Sequence, residues 1–298
     1  MKHQPDEEPE GAPGASGDRQ RRPGSRWWRS GAVSDPHEHA GADHEHRQLL
    51  ADVGHELRTP LSIMLALCGR LEDAGRLDGQ DAEDVARIRA NAYTMLRRVQ
   101  DLMLVSRLES ADLQLEAAVV DVAGIVRSCV EGFGSVAGQR GLDLRLMVPD
   151  CLPAVADEEK LVSVVSNLVA NAIRHAPAGG VVRCSLAEGP RIFVLEVADN
   201  GPGVPPDQRG AIFERYHRGT RSGGIGLGLA IVGEIATLHG GSVAVADAPE
   251  GGALFTVEMP RRSAGADAPR TANRSLILVD RQKAIVEDLR AELESAAG

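Results

Sequence analysis

The chain has 298 residues, of which 43% are hydrophobic and 26% charged, so it is long enough for about two ordinary domains with buried cores. The formal net charge of -10 and the sequence pI near 5.4 disfavour binding to nucleic acid. No apolar run reaches the roughly 18 residues that a membrane span needs. Residues 1–31 carry charges and prolines where a signal peptide has an apolar stretch. Together these features predict a cytoplasmic protein without a membrane span.

Residues 1–46 form a polar N-terminal segment with many prolines, glycines and charges. Burial of its few apolar residues cannot offset the entropy cost of ordering them, so we predict that it is disordered. Histidines alternate with acidic residues over 37–46, which is open to a metal-binding interpretation. A solvated linker is the preferred interpretation, and no metal is assigned there. Because the segment is too short and too polar for a folded sensor domain, we expect a separate sensory partner.

Residues 47–112 are predicted to form two long amphipathic helices joined by a short loop at Gly75 and Gly79. Apolar residues recur in both helices at steps of three and four: Leu50, Val53, Leu57, Leu61, Met64, Cys68 and Leu71, then Val85, Ile88, Ala92, Met95, Val99 and Leu102. A hairpin alone has too little core. Pairing with a second copy would bury the narrow seam, which predicts a homodimeric four-helix bundle.

The first helix contains the stretch Val-Gly-His-Glu-Leu-Arg-Thr-Pro, residues 53–60. On a helical wheel His55 points away from the apolar stripe, and Thr59 shares its exposed face one turn later. A neutral imidazole can attack phosphorus, and the carboxylate of Glu56 can take the proton from its other nitrogen. Pro60 removes a backbone donor and should bend the helix there. Considered alone, the histidine is better interpreted as an ordinary solvated surface residue.

Residues 113–262 alternate strand-like and helical patterns, which predicts an α/β layer domain in which helices cover one sheet. The predicted strands are 142–148, 181–186, 191–198, 241–246 and 253–259. The predicted helices are 122–137, 158–175 and 226–239. The whole chain is therefore predicted to be of the α+β class, with a helical hairpin that dimerises into a four-helix bundle followed by an α/β sandwich domain.

Three clusters in this second domain indicate a nucleotide site. The first places Asn167 and Asn171 one turn apart on one helix face, with Arg174 and His175 following. Amide oxygens suit Mg²⁺ when phosphates complete its shell, and Arg174 is placed to meet those phosphates. Two asparagines that merely pack polar surface are the alternative for this cluster alone.

The second cluster, residues 199–205, follows directly after an apolar strand. Asp199 at the strand end can accept a hydrogen bond from the amino group of adenine. Gly201 and Gly203 let the backbone approach the ring. A plain Asn-Gly turn is the competing interpretation of this stretch.

The third cluster is a glycine-rich loop, with Gly224, Gly226 and Gly228, that runs into a helix. Free N–H groups at such a helix start can hold phosphate, although the loop lacks the G-K-[ST] ending of a P-loop. In residues 212–218, apolar residues that can anchor the segment are followed by cationic residues. Residues 219–224 are predicted to form a movable flap.

In this order, the clusters and the His-Glu-Leu-Arg-Thr-Pro stretch resemble the sensor histidine kinases of two-component signalling over about residues 47–262. The resemblance implies a dimerising phosphoacceptor hairpin and an ATP-binding domain of the Bergerat type. It implies that His55 is the phosphoacceptor and Glu56 its base. It also implies that Asn171 is the main Mg²⁺ ligand, assisted by Asn167, and that Asp199 reads adenine. Further residues that it assigns to the ATP site are the pocket and lid residues Gly201, Gly203, Gly224, Gly226, Gly228 and Leu229, and the phosphate-side Arg174, His175 and Arg218.

Two departures from the family pattern are present: Arg174 stands where lysine is common, and the lid is short. The implied function is an ATP-dependent protein-histidine kinase that transfers its phosphoryl group to an aspartate of a response regulator. Thr59 implies an additional phosphatase role toward that regulator. The alternatives are a non-catalytic ATP-binding dimeric signalling scaffold, an ATP-gated conformational machine and a serine kinase. An intact set of His55, Asn171 and Asp199 disfavours the scaffold, and the phosphoacceptor hairpin disfavours the other two.

After a polar linker at 263–274, the C-terminal segment 275–298 is predicted to contain a short buried strand at 276–280 and a helix at 284–296. This pattern resembles the first strand and helix of a receiver domain. One strand-helix unit cannot bury its own strand, and Arg281 stands where the family has a second Mg²⁺-binding acid. We therefore predict a relic, or a docking strand for another protein, and no role in autophosphorylation.

Overall fold

The computed structural model describes residues 57, 60–73, 75, 78–109, 115–215, 217, 226–261 and 275–297. Five predicted site residues lie outside them: His55, Glu56, Thr59, Arg218 and Gly224. The predicted disordered segment and the movable flap lie outside them as well. Within the described part of the chain, no helix is long and apolar enough to cross a membrane.

Two helices form the predicted hairpin: α1, described over residues 60–73, and α2, Gly79–Glu109. Gly75 takes a φ of 61° in the connection, a value that glycine adopts without strain. Leu61 of α1 packs against Ala92 and Leu96 of α2, and all three are buried. Other members of the predicted apolar stripe lie on the surface, so one chain buries only part of that stripe.

The second domain is built on a five-stranded sheet in the order β2-β4-β5-β7-β6. Its strands are β2 (Asp143–Met147), β4 (Val181–Glu188), β5 (Ile192–Asp199), β6 (Ser242–Asp247) and β7 (Ala253–Pro260). Strands β2 and β4 pair in parallel, whereas the other neighbours are antiparallel. Every predicted strand of this sheet is present with slightly shifted ends.

A small antiparallel sheet, β1 (Ala118–Asp121) with β3 (Pro153–Ala156), was not predicted. Each strand has four residues, which is too short for an alternating pattern to stand out. Asp121 ends β1 and caps the next helix, because its carboxylate accepts from the backbone N–H of Ala123.

Helices α3 (Val122–Gly132), α4 (Gly134–Gln139), α5 (Glu158–His175) and α6 (Gly228–Leu238) complete the domain. The predicted helix 122–137 is interrupted at Phe133, which is flanked by two glycines that weaken a helix interior. Helix α5 has the predicted bounds and packs against β4 and β5. Its Leu168 shares the core with Phe193 of β5, Phe255 of β7 and Ile231 of α6.

The prediction of a strand at 276–280 was wrong, because one continuous helix, α7, covers Ser275–Ala297. A short apolar run fits a buried strand and a turn of helix equally well. Helix α7 packs against α2 and α5, where it buries Ala284, Ile285 and Leu289. The segment therefore docks on its own chain as a helix, and the likeness to a receiver domain does not extend to its structure.

Candidate active site

A cavity of about 620 Å³ lies where α5, α6 and the turn after β5 meet α2 and α7. The predicted ATP-site residues that line it are Asn167, Asn171, Arg174, His175, Asp199, Gly203, Gly226, Gly228 and Leu229. Gly201 lines a second cavity of about 460 Å³, which shares Arg174 and His175 with the first. Three clusters that are separate in sequence thus border the same space.

Two asparagines of α5 offer amide oxygens to this cavity. The Nδ2 group of Asn167 donates to the carbonyl oxygen of Ser163 at 2.9 Å, which orients the amide. Its Oδ1 atom faces the start of α6, since a β-carbon added to Gly228 would lie only 2.9 Å from that oxygen. Asn171 lines the cavity one turn later and is half-buried. Amide oxygens suit a hard cation such as Mg²⁺ when phosphate oxygens complete its shell.

Asp199 stands at the end of β5 and is only 2% exposed. Burial raises the pKa of its carboxyl group, and hydrogen bonds from the backbone N–H groups of Gly201 and Ala253 oppose that shift. A β-carbon at Gly201 would lie 2.5 Å from the carbonyl oxygen of His175 and 2.7 Å from Asp199 Oδ1, so only glycine fits there. A carboxyl group in this position can accept a hydrogen bond from an exocyclic amino group.

Apolar side chains line the same cavity as Asp199 and were not identified as site residues from the sequence: Val204, Pro205, Ile212, Ala253 and Phe255. Phe255 is held from behind by an edge-to-face contact with Phe213, with ring centroids 6.3 Å apart. Val204 and Pro205 fall in the cluster at 199–205 and Ile212 in the apolar anchor of residues 212–218, whereas nothing in the sequence marked Ala253 and Phe255 as site residues. A planar heterocycle would be covered by such a wall on its faces and met by Asp199 at its edge.

The start of α6 also borders the cavity. Gly226 takes a φ of 78°, which turns the chain into the helix. Leu227 occupies the N-cap position and has no side-chain acceptor, so it leaves the first N–H groups of α6 to other partners. Uncapped N–H groups at a helix start favour an anion.

Arg174 and His175, at the end of α5, also line the cavity. The Nε atom of Arg174 donates to both carboxylate oxygens of Glu292, at 3.0 and 2.9 Å. Burial lowers the pKa of His175, the charge of Arg174 lowers it further, and Glu292 opposes both effects. The lowered pKa favours the uncharged form of the His175 imidazole.

Sequence reasoning missed the lining residues that α2 and α7 contribute: Thr94, Arg97, Arg98, Asp101, Asp288, Ala291 and Glu292. Arg97 forms an ion pair with Asp288, and its Nε atom lies 3.7 Å from Asp101 Oδ2. Thr94 Oγ1 donates to Asp288 Oδ1 at 2.9 Å. The polar residues of α2 recur at steps of three and four, which was an available signal. No local sequence pattern predicts that α7 packs against α2 and α5.

Two family models match the chain in the predicted order. The model described as "His Kinase A (phospho-acceptor) domain" matches residues 45–111. The model described as "Histidine kinase-, DNA gyrase B-, and HSP90-like ATPase" matches residues 156–263. The first range contains the helical hairpin and the second contains the three clusters of the cavity, so the family resemblance found in the motifs is confirmed.

Curated relatives agree with this assignment. The chain is 39% identical over 226 residues to the probable sensor histidine kinase TcrY of Mycobacterium tuberculosis, with 72% of this chain and 46% of that protein covered. It is 34% identical over 219 residues to the signal transduction histidine-protein kinase BaeS of Escherichia coli, with 72% and 46% covered. The chain thus spans less than half of the length of either relative.

Solved structures of the same kind share the fold. Full-length ShkA in complex with AMPPNP superposes with a TM-score of 0.60 at 33% identity, over 74% of this chain and 47% of that one. The Acinetobacter baumannii histidine kinase AdeS superposes with a TM-score of 0.51 at 25% identity, over 70% of this chain and 98% of that one.

Proposed function

We propose that this chain, which belongs to the sensor histidine kinases of two-component signalling, phosphorylates itself on His55 with ATP. The phosphoryl group then passes to an aspartate of a response regulator. One observation carries the proposal: Asp199, Asn171 and Arg174 border a single cavity, so a hydrogen-bond acceptor, an amide and a cationic group face the same space. That arrangement fits a ligand with an amino-bearing ring and a phosphate chain.

The site holds ATP through groups of different chemistry along its length. Asp199 accepts from the amino group of adenine, and the apolar wall covers the ring. Arg174 and the N–H groups at the start of α6 bind the phosphates. Asn171, with Asn167, would hold a Mg²⁺ ion, which neutralises phosphate charge when it is bound. Positioning and charge neutralisation therefore account for most of the catalysis.

The chemical step exchanges one phosphorus bond for another. An imidazole nitrogen of His55 forms a bond to the γ-phosphorus while the bond to the bridging oxygen breaks, and ADP leaves. The carboxylate of Glu56 takes the proton from the second imidazole nitrogen. A carboxylate oxygen of the regulator's aspartate later attacks the same phosphorus, and the imidazole is released.

Dimerisation through the hairpin is part of the proposal. Large apolar side chains stand exposed on α1 and α2: Leu57, Ile63, Met64, Leu67, Leu71, Ile88 and Met95. Ile88 and Met95 are each 52% exposed and lie two turns apart on the same face of α2. Exposure of such an apolar surface to water is unfavourable unless a partner covers it. A second copy of the hairpin offers the same apolar surface and would close a four-helix bundle.

Labelling of the purified chain with γ-labelled ATP tests the proposal. Wild type should acquire acid-labile, base-stable phosphate, and His55→Gln should acquire none while it still binds ATP. The matched control is His39→Gln, which removes a histidine of the polar N-terminal segment and should label like wild type. ATP binding without label in the wild type would favour the scaffold alternative, and persistent label in His55→Gln would place the acceptor elsewhere.

A further inference from the structure

We propose that α7 is an internal competitor of ATP: its Glu292 occupies Arg174, which the nucleotide phosphates need, and its Asp288 adds a second negative charge at the same cavity. The inference rests on the proposed function, because it concerns regulation of the same site. Helix α7 would thereby hold the kinase in a state of low ATP affinity until the phosphates or a partner displace its carboxylates.

The two carboxylates lie one helical turn apart on α7 and each engages a different arginine. Both carboxylate oxygens of Glu292 accept from Arg174 Nε of the catalytic domain. Asp288 pairs with Arg97 of the hairpin. The side chains of Arg174 and Arg97 are each 13% exposed, so these ion pairs are shielded from solvent more than ordinary surface pairs.

This acidic face of α7 borders the cavity itself. Asp288, Ala291 and Glu292 line it together with the two arginines that they engage. Guanidinium groups bind carboxylates and phosphates through the same planar donors, so the two anions are alternatives at Arg174. A triphosphate brought beside Asp288 and Glu292 would also meet two like charges in a partly buried space. ATP binding and the docked carboxylates therefore oppose each other.

The remaining contacts of α7 explain why the carboxylates stay in place without nucleotide. Ile285 and Leu289 are buried in the core beside α5, and Gln282 Nε2 donates to the carbonyl oxygen of Cys129 at 2.7 Å. The helix contacts both α2 and α5, so it joins the hairpin to the catalytic domain. Loss of the Asp288 and Glu292 ion pairs would loosen that connection when ATP enters. Nucleotide binding and release of the catalytic domain from the hairpin are thus coupled.

Nucleotide titration of the full chain tests the competition. Glu292→Gln should bind MgATP about threefold to tenfold more tightly than wild type, because one opposing charge is removed. Its affinity for adenosine, which has no phosphates, should be unchanged. Asp288→Asn is the second variant and should shift in the same direction. Glu287→Gln is the matched control, since Glu287 pairs with Arg290 on the same helix and does not line the cavity.

Unchanged or weaker MgATP binding in folded Glu292→Gln would overturn the inference, as would an equal gain for adenosine. Hydrogen exchange of the wild type gives an independent test that needs no variant. Amides of α7 should exchange faster with MgATP than with adenosine, and equal exchange would contradict the coupling. These measurements read binding rather than phosphorylation. A chain that binds nucleotide as described but never labels His55 would refute the proposed function and leave this inference standing.

Discussion

Gly228 and Asn167 are in such close contact that a β-carbon at position 228 would lie 2.9 Å from Asn167 Oδ1. Gly228→Ala should therefore displace the Asn167 amide and weaken MgATP binding about tenfold, or ~1.4 kcal/mol. The control is Gly233→Ala in the same helix, where the nearest atom would be 3.8 Å away. That variant should bind normally and gain about 0.4–1 kcal/mol in free energy of unfolding. Equal ATP affinities in the two variants would show that the contact has no role in binding.

Asp199→Asn should weaken ATP binding by ~1–3 kcal/mol, the usual cost of a mismatched buried polar group. Titration with ATP and GTP is the measurement. An unchanged ATP affinity would mean that adenine does not lie against Asp199.

The same variant should change the pH dependence of stability in the nucleotide-free chain. Burial raises the pKa of Asp199 in the folded chain. The free energy of unfolding therefore falls as the pH rises from the ordinary range of a carboxyl group through that raised pKa. The amide that replaces this carboxyl group in the variant does not ionise. The variant should therefore gain most in free energy of unfolding at neutral pH, and the gain should vanish in acid below the ordinary range of a carboxyl group. Denaturant unfolding at several pH values measures this difference, and a gain that grows toward low pH would contradict it.

Asn171→Ala should remove the Mg²⁺ dependence of nucleotide binding, because the half-buried Asn171 lines the cavity and an amide oxygen is a suitable ligand for Mg²⁺. ATP titrations with Mg²⁺ and with a chelator should then coincide. Asn91→Ala is the control, since Asn91 lies exposed on α2 and donates to the carbonyl oxygen of Arg87. If the ATP affinity of Asn171→Ala still depended on Mg²⁺ as in the wild type, the cation would bind elsewhere.

Much of the catalytic domain follows from local patterns, whereas the assembled cavity does not. The apolar period of residues 158–175 and the acidic residues at its start predict α5 with the ends that it has. The clusters at Asn167, Asp199 and Gly228 were recognisable because each needs particular residue types at short spacings. Their meeting in one cavity depends on the sheet order, which brings the end of β5 beside α5.

Features that depend on long-range docking were missed. Arg97 and Glu292 are ordinary charged helix residues in the sequence, and only the packing of α7 against α2 and α5 places them at the cavity. The apolar run at 276–280 predicts a strand but forms part of α7, because a short apolar run does not distinguish a strand from a helix. Deletion of 263–298 would expose the core surface that Ile285 and Leu289 cover, so the segment contributes to the packing of the catalytic domain.

The role expected of Thr59 concerns dephosphorylation of the response regulator and not the binding of ATP. A hydroxyl one turn from His55 could position water against an aspartyl phosphate. Thr59→Ala should keep autophosphorylation and lengthen the lifetime of the phosphorylated regulator. The measurement is decay of labelled regulator mixed with either form of the chain, and identical decay rates would remove Thr59 from this role.

Direct mapping of the phosphate tests the central claim most closely. The full chain is incubated with MgATP, digested at neutral to alkaline pH to preserve phosphohistidine, and analysed by tandem mass spectrometry. Phosphate is expected on His55 and on none of the eight other histidines of the chain. Phosphate on a serine, a threonine or a different histidine, with His55 unmodified, would contradict it.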